Sequence, residues 1–536
     1  MSTPARTHPS ASASATFEPL LELATPQLYE QIAFRLLELP VHASERELER
    51  RRELMEKAAR SALPVPAGAG RILPPQSPAD EHALRAASHA LQDAQQRLAH
   101  EFFWFWPLPP ATAAADPALR HLVAGDATAA REAWRKAQGE AAAVAAHNLA
   151  VWHHLRALEG EASLLAGPPS NEDSAAADLD AEWKAAHALW RKVLADDVFW
   201  ARVGERIRQI DDARLPASAA HGLRETLPVV LALSLARLVA RAMDSGHVAQ
   251  AQRLGRRLTE AGFDEAALEQ ARRIATLPVR SLCKALRQEA NERARADKPH
   301  ADAAAEWLLE RAAGPLAVLD LLLPPTHPAR QAERDELADA ALGCVIDFHN
   351  ETLRARRSLA LIDRIVPLAC GSAVQQRIEK NHSNVAELLE DTTCWFCNCN
   401  DADQKHGVEV KLFGDVKHEP VEGGTRTTWR HGTYTVPRCG ECVAEEQLLS
   451  LSGRLALLVS TLGLGAAVLL FQRSEVWGLA AGAVTVFVST WMAVRDRAAK
   501  QRRCRPEIKR RARDDFPPVK ERRAEGWLFG DRPVGA

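Results

Sequence analysis

Two uncharged runs near the C-terminal end constrain this chain more than any other stretch. Leu455–Phe471 is seventeen residues without a charge, and Val476–Val494 comes after only Gln472, Arg473, Ser474 and Glu475. About 20 apolar residues at 1.5 Å rise cross a hydrocarbon core of about 30 Å. Backbone polar groups in lipid must be satisfied within the segment, so each run is expected to be a helix. A four-residue link makes the pair a transmembrane hairpin over 453–495 with both ends on one side. Ten Lys or Arg lie between Arg495 and Arg513, against Asp496 and Glu507 only. The positive-inside rule then puts the basic tail, 496–536, in the cytoplasm, and the chain before the hairpin with it. Gly463, Gly465, Gly478 and Gly482 allow close helix approach. The competing reading is a buried helical hairpin of a soluble domain.

The charge balance bears on partners. With 68 Lys plus Arg against 70 Asp plus Glu, the net charge is −2, which argues against a general nucleic-acid binder. Alanine and arginine are abundant while tyrosine occurs twice, a composition that favours helix. Nine cysteines in 536 residues are too few for a disulfide framework and suit a reducing compartment. The Ser/Ala/Pro/Thr-rich start reads as a disordered tail, 1–18, with no signal peptide, leaving insertion to the internal hairpin.

After that tail, Pro26–Leu39 and Ser44–Arg60 read as two helices, the second opened by the Ser44–Glu47 capping box. A Pro/Gly-rich loop covers Leu63–Pro78, and a third helix is expected from Ala79 to about Trp106. This order resembles a J domain over Leu28–Glu101: Phe34–Arg51 is similar to that family's first helix, turn and basic second helix, and Leu84–Glu101 to its third. The resemblance implies a three-helix bundle at 19–112 and brings in Hsp70 as a partner. The family's His-Pro-Asp tripeptide, which engages Hsp70, is absent, because the loop 64–78 has neither His nor Asp. Phe102–Trp106 is five aromatics in a row, implying burial on every side, where the third helix locks against the next domain, or a partner-binding patch.

From 113 to 390 the pattern is helical, with breaks expected near Gly167–Asp173, Pro216, Pro228, Pro315 and Pro324-Pro325. Ala124-Gly125-Asp126 before Ala129–Ala137, and Ser245-Gly246-His247 before Ala249–Leu258, resemble tetratricopeptide units. That resemblance implies an α-solenoid-like array whose concave face binds protein partners. His147, His153, His154 and His349 lack a third ligand at helical spacing and read as packing or capping residues. The doublets Asp196-Asp197 and Asp211-Asp212 read as solvated faces. No nucleophile elbow, phosphate loop or HExxH occurs in this region.

The strongest chemical pattern lies at 391–446. Cys394-Trp395-Phe396-Cys397 and Cys439-Gly440-Glu441-Cys442 are two C-x2-C knuckles. Two thiolates from each tight turn complete a closed tetrahedral site for a structural Zn²⁺ on Cys394, Cys397, Cys439 and Cys442. Apolar alternation at Val408–Phe413 and a β-rich stretch at Thr427–Val436 read as strands between them. Knuckle, strands, knuckle resembles a zinc ribbon. Cys399, His406, His418 and His431 are further candidate ligands, and a redox dithiol or catalytic zinc are the rival readings. Phe516 and Trp527–Phe529, aromatics among charges, are expected to pack on the ribbon or lie at the membrane interface.

The fold class expected is therefore mostly α: a J-like bundle, a helical array, a small β zinc-ribbon-like domain and a membrane hairpin. That order resembles bacterial membrane-associated J-domain-like or tetratricopeptide-like proteins. It implies a non-enzymatic scaffold at the inner (cytoplasmic) membrane, both termini cytoplasmic. A degenerate J-type co-chaperone and a zinc- or thiol-dependent enzyme are the alternatives.

Overall fold

Helix-favouring alanine and arginine, short side-chain caps and glycine stops divide most of the chain into helices, and one β-rich stretch escapes that pattern. The computed structural model describes residues 16–60, 68, 70–74, 80–110, 112–113, 115–167, 173–389, 393–397, 401–421, 424–444 and 515–533. These residues are mostly helical with one small three-stranded antiparallel sheet. The expected hairpin, 453–495, and Cys399 lie outside the described residues. The chain divides into two units, residues 1–285 with 311–333, and residues 286–310 with 334–536.

In the first unit, α1 (Glu18–Glu22), α2 (Ala33–Leu36), α3 (Glu45–Arg60), α4 (Glu81–Gln92) and α5 (Ala94–Phe102) come first. The Ser44–Glu47 box forms as expected: Glu47 accepts the Ser44 N–H at 2.7 Å, and Ser44 Oγ accepts the Glu47 N–H at 3.3 Å. Two expected helices are interrupted. Pro26–Leu39 is broken because Ile32 is extended and the Ala33 N–H is donated to the buried His100 ring at 3.2 Å. The third helix breaks at Asp93, whose carboxylate caps Gln95 and Gln96, both at 3.0 Å, and so starts a new helix.

The aromatic run that ends α5 is buried throughout, which answers the choice between core and patch. Phe102, Phe103, Trp104 and Phe105 are fully buried and Trp106 is 5% exposed. Phe102 stacks on Trp190 and Trp200, both at 5.8 Å, and Phe105 on Trp134 at 5.5 Å. These partners come from α7 (Ala127–Lys136), α9 (Asp173–Ala195) and α10 (Asp197–Ile210). His147 of α8 (Glu140–Ala166) lies 2.7 Å from the Phe102 carbonyl, to which its Nε2 donates, and stacks on Phe199 at 4.9 Å. His154 meets the Tyr29 hydroxyl at 3.1 Å, and His153 meets Glu182 at 2.5 Å. The histidines thus pack and bond within the core. Asp196 caps α10.

Both Gly-centred turns form one geometry. After α6 (Pro117–Val123), Gly125 takes φ +80° and the Asp126 N–H reaches the His121 carbonyl at 2.8 Å. After α11 (Ala219–Asp244), Gly246 takes φ +76° and the His247 N–H reaches Ala242 at 2.8 Å, before α12 (Val248–Glu260). These six-to-one bonds with a left-handed glycine are Schellman stops. Pro228 and Pro315 are expected breaks, yet α11 and α14 (Ala301–Leu322) run through them. In α11 burial outweighs the lost hydrogen bond, since Leu223, Leu227, Val230, Leu231 and Leu235 are all buried. Among the described residues α11 is the one helix long and apolar enough to cross a membrane, at mean hydropathy 1.6. It is 72% buried, as a core helix is.

In the second unit, α16 (Ala355–Ile365) is capped from outside by Asp401, which accepts the Arg356 N–H at 3.2 Å. Likewise Asp335 of α15 (Pro328–Thr352) accepts the Cys370 and Gly371 N–H groups before α17 (Ser372–Glu387). His349 bonds Ser358 at 3.2 Å. The sheet has the order β2-β1-β3. β1 (Val408–Val421) and β2 (Gly424–Val436) form a long ribbon with a register shift between Gly414 and Lys417. β3 (Leu528–Phe529) pairs with Leu412 and Phe413 of β1.

Candidate metal centre

Four sulfurs about 2.3 Å from a tetrahedral centre lie about 3.8 Å apart, by the geometry of a tetrahedron's edge. Cys394 Sγ to Cys442 Sγ is 3.8 Å, and Cys397 Sγ to Cys439 Sγ is 3.8 Å. All four ligand atoms lie within 4.8 Å of one another. The four cysteines that the spacing singled out are therefore together, at the distance one ion requires, and can hold a metal such as zinc.

Local backbone bonds bring the knuckles into register. The Trp395 N–H reaches the Pro437 carbonyl and the Asp403 N–H reaches the Arg438 carbonyl, both at 2.9 Å, so the first knuckle and the segment after it are tied to the residues that lead into the second. Thr393 and Asp401 form a bridge on the far side of the first knuckle. Burial holds the Cys394 thiol up at about 11, while N–H groups of Cys439, Cys397 and Phe396 pull the other way. Burial and then the neighbouring cysteines push Cys442 well above the ordinary thiol range. A divalent cation reverses this balance, because it supplies the counter-charge that four converging thiolates lack.

The other candidate ligands are elsewhere. His406 pairs with Asp403 at 3.2 Å, with its ring beside Gly440. His418 bonds Thr427 at 3.0 Å on the distal ribbon, and His431 is an exposed β2 residue opposite Phe413. Among the described residues the metal-competent group is the four cysteines. Cys283 and Cys344 are buried and Cys370 exposed, all outside this group.

Sequence reasoning left open whether the C-terminal aromatics pack on the ribbon, and the structure shows that they do. Trp395, inside the first knuckle, meets Phe516 edge to face at 5.5 Å. Phe396 packs against both the cysteine cluster and the sheet core of Val410, Leu412, Val436, Val519 and Trp527. Val519 belongs to α18 (Pro517–Ala524), and Arg522 of the same helix donates to the Tyr434 hydroxyl at 3.0 Å. A Cβ on Gly414 would fall 2.6 Å from the Trp527 ring, so only glycine allows this approach. Residues 515–533 thus complete the metal domain, packing on the ribbon as the first of their two readings expects. The signal was present as two aromatics enclosed between Cys394 and Cys397, where a metal knuckle needs none. Beyond this geometry the chain stands by itself: no family model, no curated protein and no solved structure matches it.

Proposed function

We propose that this chain is a non-catalytic scaffold facing the cytoplasm, anchored at the inner membrane by a 453–495 hairpin and braced by a structural Zn²⁺. A J-like bundle and a tetratricopeptide-like array offer their surfaces to a protein partner, and anchoring raises that partner's local concentration. The observation that carries the reading is where the chain returns. On the far side of both uncharged runs in the sequence, Phe516 packs against Trp395 of the first knuckle. A segment with both ends fixed to one small domain crosses a bilayer an even number of times. Of the even numbers, two is proposed because the sequence holds two uncharged runs, one for each crossing. The sulfur spacing supports a structural ion as well, since four thiolates around one centre leave no open position for water or substrate.

Lysis without detergent, then high-speed centrifugation, tests the anchor. The full-length chain is expected in the pellet, resistant to alkaline carbonate and released by detergent. Single cysteines introduced at positions 448 and 512 of a variant lacking Cys370 and Cys504 should label from the same side. Recovery in the supernatant, or labelling from opposite sides, overturns the proposal.

A further inference from the structure

The first unit contains a cleft of about 200 Å³ whose lining mixes apolar and cationic groups. Val41, Trp106 and Pro107 contribute apolar surface, while His42, Thr112 and Arg206 contribute polar atoms. Glu101 and Arg202 also line it, but both are already engaged. Glu101 is 1% exposed and accepts Arg97 Nε at 2.9 Å, Arg206 Nη2 at 2.8 Å and Arg206 Nε at 2.8 Å. Arg202 pairs with Glu205 at 2.6 Å. Arg97 and Arg206 against one carboxylate, with the Arg202–Glu205 pair cancelling, leave one unit of positive charge.

That charge faces the cleft. The Arg206 side chain is 17% exposed. Its Nε and Nη2 are used on Glu101 and the Val41 carbonyl, but its Nη1 has no acceptor among the described residues. His42 and Thr112 are exposed residues whose side chains line the same cleft. These donors line the cleft within reach of solvent, so a bound acceptor would take the place of water on them. The acceptor that suits a guanidinium best is a carboxylate, which has no proton of its own to place. A phosphate dianion would exceed the single positive charge. The cleft is also smaller than the roughly 300–1,000 Å³ of a drug-sized ligand site, which limits the occupant to a small molecule.

We propose that this cleft binds a small organic monoanion, with its carboxylate on Arg206, His42 and Thr112 and a flat apolar body against Trp106 and Pro107. This site is independent of the metal domain and of the anchor. Benzoate is the probe, titrated into the full-length protein in detergent and monitored by saturation-transfer NMR, with benzamide titrated in the same way and inorganic phosphate read as a competitor of the benzoate signal. Saturable benzoate binding is expected, with benzamide and phosphate each about tenfold weaker or worse, the loss of a charge-assisted bond or of apolar contact. Thr112→Val and His42→Ala leave the Arg97–Glu101–Arg206 network in place, so circular dichroism and melting temperature should not change. Each should weaken benzoate about three- to tenfold, the weight of one hydrogen bond. The proposal is overturned if benzoate does not saturate by about 10 mM, well above the millimolar constant expected of so small a ligand. Equal binding of benzamide, or benzoate binding blind to both substitutions as partition into micelles would be, overturns it too.

Discussion

Acidification should unfold the first unit before its carboxylates begin to titrate. Four histidines are responsible. Burial lowers His100 and His147 to about 4 and His154 and His187 to about 3, with His187 lowered further by Arg257 and Arg191. Each is neutral in the folded chain at any pH above its own low value, whereas the unfolded chain binds a proton near 6.5. The folded-state values are depressed, so the unfolded state binds more protons between about 4 and 6.5. Stability is complete above that window and falls as pH falls through it. At pH 5 each histidine has cost about 2 kcal/mol by this linkage, and the four together about 8 kcal/mol. A domain's whole stability is about 5–15 kcal/mol. Carboxylates add to the loss only below about 4.5, so the window from 6.5 to 5 belongs to the imidazoles.

Urea unfolding of the full-length protein in detergent, with saturating zinc, measures this as a stability slope between pH 6.5 and 5. The slope should approach four protons. His100→Asn removes one titrating group while keeping an acceptor near Nδ1 for the Ala33 N–H. It should flatten the slope by about one proton, or about 1.4 kcal/mol per pH unit. Deuterium exchange at the imidazole C2 position, read by mass spectrometry, gives each histidine its own titration. A slope below one proton, or any of the four titrating near 6.5 in the folded protein, refutes the argument.

Other predictions concern the metal domain and one buried ion pair. Chelation, or Cys394→Ser, should take zinc from one ion per chain to none. Amide exchange should then lose protection at 515–533 as well as at the knuckles, since Trp395 and Phe396 support that segment. Gly414→Ala forces a methyl group into the Trp527 ring. It should cost about 1–3 kcal/mol as overpacking does, seen as earlier proteolysis after Arg522 or Arg523. Glu161 is fully buried and accepts Arg253 at 2.6 Å, Gln250 at 2.5 Å and Trp183 at 3.1 Å. Glu161→Ala strands the Arg253 charge and should lower stability by about 3–5 kcal/mol in urea unfolding, with Glu161→Gln milder.

What was legible in the sequence was local. The Ser44–Glu47 box and the β1 alternation each arise from a few adjacent residues, and each forms. The four cysteines were legible because chelation needs a fixed spacing within each knuckle, and the two strands bring the knuckles together. What escaped depends on partners far along the chain. Asp93 is the local exception: within a helical pattern its carboxylate caps Gln95 and Gln96 and starts a new helix. Pro228 looks like a break until α11 is seen to be buried along most of its length. Ile32 departs from helix because a ring 67 residues away from Ala33, His100, takes the next N–H. Asp401 caps a helix 45 residues before it. Periodicity carries no trace of such pairings.

The return of 515–533 makes the metal and the strap a single cooperative element. The sheet core consists of five buried residues, Val410, Leu412, Val436, Val519 and Trp527, and the last two come from the strap. Three apolar side chains from the ribbon alone are too few to hold a domain of this size, which is where small folds draw on metal-binding energy. A bound ion, however, would fix the knuckle that carries Trp395 and Phe396, and those rings are the surface on which residues 515–533 sit. Loss of the ion therefore removes the strap's support, and loss of the strap removes two-fifths of the core beneath the knuckles. Neither half is stable alone, so the two should be lost together in one transition.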